Sequence, residues 1–117
     1  MTIDDLLVEA QGALHQIWFV RGLTVADRTH ATVTTRLFQV SDFFVQVFLG
    51  ERSGRFSLAL IGPTGRLYGR DREHGIWHRH PFEQPRDHEP TPEGMSSRPI
   101  EQFLTEIEQI LLDNDLI

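Results

Sequence analysis

The chain has no cysteine and no lysine among its 117 residues. Without thiols there can be no disulfide, no thiolate nucleophile and no cysteine-based zinc site. That suits a cytoplasmic protein without requiring one. All eleven basic residues are arginine, so any contact to phosphate would be made by a guanidinium, which can bond it bidentately. No apolar run approaches the ~20 residues needed to span a bilayer, and none is expected to enter a membrane. The opening "MTIDDLLVEAQ" begins acidic and lacks the basic start of a secretory signal. The net formal charge of -6 argues against a surface that binds nucleic acid all over.

What is present reads as one domain, residues 1–117, of ordinary globular composition. "TIDDLLVEAQGALHQI" predicts a helix, because Ile3, Leu6, Leu7, Ala10, Leu14 and Ile17 repeat at intervals of three and four. Thr2 and Asp5 match a capping box. Gly12 weakens the interior by ~1 kcal/mol and is expected to end the helix early. The pattern then changes to period two. Val33, Thr35 and Leu37 share one side of a run, as do Val45, Val47 and Leu49, and Phe56, Leu58 and Leu60. The breaks "SD", "GERSG" and "GPTG" suit hairpin turns, and connections this short cannot carry parallel crossovers. A proline-rich segment follows, "PFEQPRDHEPTPEGMSS", expected to be extended and superficial. "SRPIEQFLTEIEQILLDNDLI" predicts a last helix, with Ser97 as N-cap, Pro99 in the first turn and Ile100, Phe103, Leu104, Ile107 and Leu111 as its apolar stripe. The expectation is an α+β fold: an antiparallel β-meander of four to six strands packed against an N-terminal and a C-terminal helix as a two-layer sandwich.

Charge is unevenly spread. Met1 to Gln16 and Glu101 to Ile117 carry acids and no arginine, whereas Glu51 to His88 holds seven arginines, five acids and four histidines. Within that region "DREHGIWHRHP", Asp71 to Pro81, concentrates the chemistry. If "IWHRHP" is a strand, His78 and His80 point to one face and Trp77 and Arg79 to the other. Asp71 and His74 are expected in the turn before it, and His88 lies in the proline-rich segment. Three explanations compete. A His-x-His pair could hold Zn, Mn or Fe through imidazole nitrogen. A neutral and a protonated histidine could instead cleave RNA without metal or other cofactor, one taking the 2′-OH proton and one protonating the leaving 5′ oxygen. His74, His78, His80 and His88 are the candidates for this, with Asp71 orienting a ring. Arg70, Arg72 and Arg79 are candidates to stabilise phosphate charge, and Trp77 or Tyr68 to stack a base. Finally, the histidines could only pin a turn. "DFFVQVF" adds a separate expectation: Phe44 and Phe48 lie opposite Val45, Val47 and Leu49, so this strand is apolar on both faces and its outer face invites a partner or a second copy.

The order of a strand "RFSLALI", then Arg70, Asp71-x-x-His74, His78-x-His80-Pro81 and a later His88, resembles the TumE-like toxin family of toxin-antitoxin systems. The likeness covers roughly Phe56 to Leu112. It implies a cytoplasmic toxin-like protein that binds a helix-turn-helix antitoxin encoded nearby and acts on RNA as an endoribonuclease. Many RNA-cleaving toxins are basic; this chain is acidic overall. The alternatives from a different class are a non-catalytic interaction module using the apolar sheet face, and a metal-dependent hydrolase using the same histidines.

Overall fold

The computed structural model describes residues 1–117. The element order is α1 (Ile3–Gln16), β1 (Val20–Arg28), β2 (Thr32–Gln39), β3 (Phe44–Gly50), β4 (Phe56–Gly62), β5 (Gly65–Glu73), β6 (Ile76–His80), β7 (Glu89–Pro90) and α2 (Pro99–Asp113). The strands form one antiparallel sheet in sequence order. The meander, the two terminal helices and the α+β class are therefore as expected. The strand count is seven because Glu89–Pro90, inside the proline-rich segment, pairs with His78 and Arg79.

Both helices lie on one face of the sheet. The core is a single cluster of 20 buried residues that joins Leu6 and Ala10 of α1 and Phe103, Leu104 and Ile107 of α2 to the inward residues of β2, β3 and β4. The period-two residues Val33, Leu37, Val45, Val47, Leu49, Phe56, Leu58 and Leu60 are all within this core. The opposite face has no covering layer. No helix is long and apolar enough to cross a membrane.

The ends of the helices differ from the expectation in two ways. Gly12 does not terminate α1, which continues to Gln16. Burial of Ala10 and Ala13 on either side holds the backbone helical and offsets the glycine penalty. The capping box of Thr2 and Asp5 is formed, and these hydrogen bonds, the backbone one first, lower the Asp5 pKa. In α2 the N-cap is Arg98 rather than Ser97, and no side chain of its own caps it. The capping comes from α1: Glu9 Oε2 accepts from the Glu101 N–H at 2.9 Å. An acceptor supplied by another helix is invisible to a local motif. Burial raises the Glu9 pKa, against the lowering effect of that hydrogen bond.

Candidate active site on the open sheet face

The histidines are brought together by strand register. Asp71 lies opposite His78, and Gly69 opposite His80, in the β5–β6 pair. Asp71, His78 and His80 therefore share the open face, as residues of like parity must. Asp71 is thus on a strand, not in the turn as the sequence suggested. The turn itself is Glu73 to Ile76, where His74 takes φ 52 and Gly75 takes φ 76. This tight left-handed pair reverses the chain and leaves His74 exposed and apart from the other histidines.

His80 is 2% exposed and paired at both ring nitrogens. Nε2 lies 2.7 Å from Asp71 Oδ2, and Nδ1 lies 3.1 Å from the Pro85 carbonyl oxygen. Nδ1 also lies 3.3 Å from the Arg66 guanidinium, a donor, so this nitrogen has a partner in either tautomer. Arg66 donates to the same Pro85 carbonyl at 3.1 Å. Together they hold the 81–88 segment over the end of β6. That places His88 with its ring 4.3 Å from His80 and 6.1 Å from His78, centroid to centroid. His78 Nδ1 stands 3.9 Å from Asp71 Oδ1, and its side chain is 28% exposed. His88 is exposed. The result is a base of Asp71 and His80 carrying two reachable imidazoles, His78 and His88, with the Arg66 guanidinium alongside. Arg66 is the one member that the sequence reading did not single out. It sits before Leu67, where a bulge in the β4–β5 pairing shifts the register and brings it onto this face.

The remaining candidates lie on the other face. Tyr68, Arg70, Arg72, Trp77 and Arg79 all point toward the helices, where each already has a partner within the protein. Arg70 donates to Glu106 through Nε at 3.1 Å and Nη2 at 2.7 Å, and Tyr68 O–H donates to the same carboxylate at 2.7 Å. Arg70 is 5% exposed. Burial opposes its charge, but Glu106 outweighs that and raises its pKa. Burial, then the Glu106 carboxylate, pushes Tyr68 up to about 12. Arg79 is held by Glu89 at 2.8 Å, a hydrogen bond that raises its pKa. Arg72 donates to the Gly54 carbonyl and lies over the rings of Phe56 and Trp77. The expectation of one site built from these arginines and the histidines is corrected: the sheet separates them. For Trp77 and Arg79 the spacing already implied this split, and for Arg70 and Arg72 it follows once Asp71 lies on a strand.

A cavity of about 810 Å³ is also on the helix side, lined by Glu9, Phe56, Arg72, Trp77, Met95 and Arg98 among others. No three His, Asp or Glu side chains are placed to hold a metal ion together. The geometry accounts for this, since both nitrogens of His80 already have partners. No family model matches the chain, and no curated protein or solved structure is significantly similar to it.

Proposed function

We propose that the protein is the toxin-like component of a toxin-antitoxin pair and cleaves RNA without a metal, using His78 and His88 for proton transfer. One observation carries the reading: two solvent-reachable imidazoles, 6.1 Å apart between ring centroids, stand on a hydrogen-bonded pair of half-buried Asp71 and buried His80. In the reaction the 2′ oxygen attacks phosphorus and the bond from phosphorus to the 5′ oxygen breaks. One histidine takes the 2′-OH proton and the other gives a proton to the departing 5′ oxygen. The products are a 2′,3′-cyclic phosphate and a 5′-hydroxyl. Arg66, 3.3 Å from His80, is the guanidinium that would face the charge that builds on the phosphate oxygens. His80 is a positioning residue, since neither of its nitrogens is free, and Asp71 orients His78. The antitoxin partner rests on the resemblance of the motif order alone.

The test is induced expression of the wild type and of the His78→Ala, His88→Ala variant, followed by growth and by end-group analysis of total RNA. Growth arrest with cyclic-phosphate ends in the wild type only is the expected result. Intact RNA in both, or equal cleavage by both, sinks the reading. The saturation of His80 also favours a second reading, in which the strip merely fastens the 81–88 segment and the sheet face binds a partner. Under it, neither form harms growth.

A further inference from the structure

The open face is organised in rows that cross the strands. One row runs Thr34, Phe48, Ser57, Asp71, His78 and Pro90 by successive pairings. The next runs Arg36, Gln46, Ala59, Gly69 and His80. A third begins Phe38, Phe44 and Ile61. The face therefore has two banks. Phenylalanines stand on β2 and β3, and the histidine cluster stands on β5 and β6. Between them Ser57, Ala59 and Gly69 keep the surface low. At ~4.8 Å per strand, Phe48 and His78 are ~14 Å apart in the same row.

The aromatic bank is built for flat ligands bearing negative charge. Phe38 is 39% exposed, and its ring centroid lies 5.7 Å from that of Phe44. The Arg36 guanidinium lies 5.6 Å above the Phe44 ring; that of Arg55 lies 5.8 Å from Phe48 but is paired with Glu73 at 3.3 Å. Arg36 bonds only the uncharged Gln46, so its charge is unneutralised. The seven acids of α1 and α2, with no arginine among them, sit on the other side of the sheet. The helix acids are therefore remote from Arg36, and the acids of the open face itself are Asp27 on β1 and Asp71 and Glu73 on β5.

We propose that the open face binds single-stranded RNA, with unpaired bases stacked on Phe44 and Phe48, a phosphate met by Arg36, and the strand crossing the low middle toward His78 and His88. The inference rests on the cleavage reading and names its substrate: an unpaired strand, because a base in a duplex cannot lie flat on a sheet. Rings stack any base, so sequence preference is weak and salt dependence strong.

The experiment is fluorescence anisotropy with a labelled, 2′-O-methylated oligonucleotide of twelve nucleotides without secondary structure, which lacks the attacking hydroxyl and cannot be cut. Wild type is compared with Phe44→Leu, Phe48→Leu, which keeps apolar volume and removes the rings, and with Arg36→Gln. The double leucine variant is expected to bind at least about tenfold more weakly. The glutamine variant is expected to reduce the salt slope by about one phosphate contact. A duplex of the same sequence should bind more weakly than the single strand. Binding unaffected by the leucines overturns the proposal, even if RNA is cleaved. Ring-dependent binding without cleavage keeps this face and overturns the nuclease step. A wild type that is dimeric in light scattering, made monomeric by the leucines and blind to the oligonucleotide, overturns the proposal in favour of a second copy on this face. Matching thermal melts of the variants show that the comparison is between folded proteins.

Discussion

Removing Glu106 should be among the most damaging single changes outside the apolar core, though nothing in its sequence context marks it. The Glu106→Ala substitution leaves the Arg70 guanidinium buried with no countercharge. Arg70 Nη1 already lacks a partner, and Tyr68 O–H loses its acceptor. Deleting one member of a buried ion pair costs ~3–5 kcal/mol, because a charge is stranded. Glu106 is itself 22% exposed, so water can reach the vacated space and the lower end, ~3 kcal/mol, is expected. Against a total stability of ~5–15 kcal/mol this is a large fraction. With a urea m-value of ~2 kcal/mol per molar the midpoint falls by ~1.5 M. Tryptophan fluorescence in urea reads it. Replacing both partners, Arg70→Met with Glu106→Leu, should recover most of the loss, since no charge is then stranded. The reasoning is refuted if Glu106→Ala moves the midpoint by less than ~0.5 M, or if the double replacement is as damaging as the single. Retained RNA cleavage in the double variant would further separate Arg70 from any phosphate-holding role.

Other expectations follow from single contacts. Tyr68→Phe removes one donor from a carboxylate that keeps both Arg70 bonds, so it should cost only ~1 kcal/mol in the same urea assay. His80→Ala should speed amide exchange across residues 84–89, because it releases Pro85, while β2 and β3 stay protected; uniform exchange across the sheet would contradict a local fastening role. Glu9 titrates higher in the fold than its ordinary 4.5, so this group favours the folded state below that value and loses that contribution as pH rises through the raised pKa. Glu9→Gln should therefore melt higher than wild type at pH 7, with the gap closing toward pH 4.

The fold was legible because period two and short polar breaks leave few alternatives to a meander, and because the stripe from Ile100 to Leu111 is unambiguous. All five residues of that stripe are buried. The site was legible in part. His78 and His80 were placed on one face by spacing alone, but Asp71 was assigned to a turn because Gly75 suggests a longer loop than the two residues, His74 and Gly75, that suffice. His88 joins the cluster only because the Pro85 carbonyl finds His80, a contact between side chain and backbone with no sequence signature. Arg70 looked like a phosphate ligand because its true partner, Glu106, lies 36 residues away on another element.

The helices have a consequence for the mechanics of the layer. Glu9 meets Glu101, and further along both helices the Trp18 indole N–H donates to Glu108. The two helices therefore run in the same direction, with α2 displaced along α1 so that its first turn lies beside the middle of α1. At the N-terminal end Asp4 and Asp5 face the positive pole of α1, and Glu9 and Glu101 that of α2. At the other end α2 has no basic residue in its last turn and carries Asp113 instead. Negative charge there meets the negative pole of α2. Tension in the helical layer is thus polarised: one end is clamped by its acids and the other is pried open by them. α2 should fray backward from Asp113, loosening Leu111 before Ile100, and a salt that screens charge should tighten that end alone.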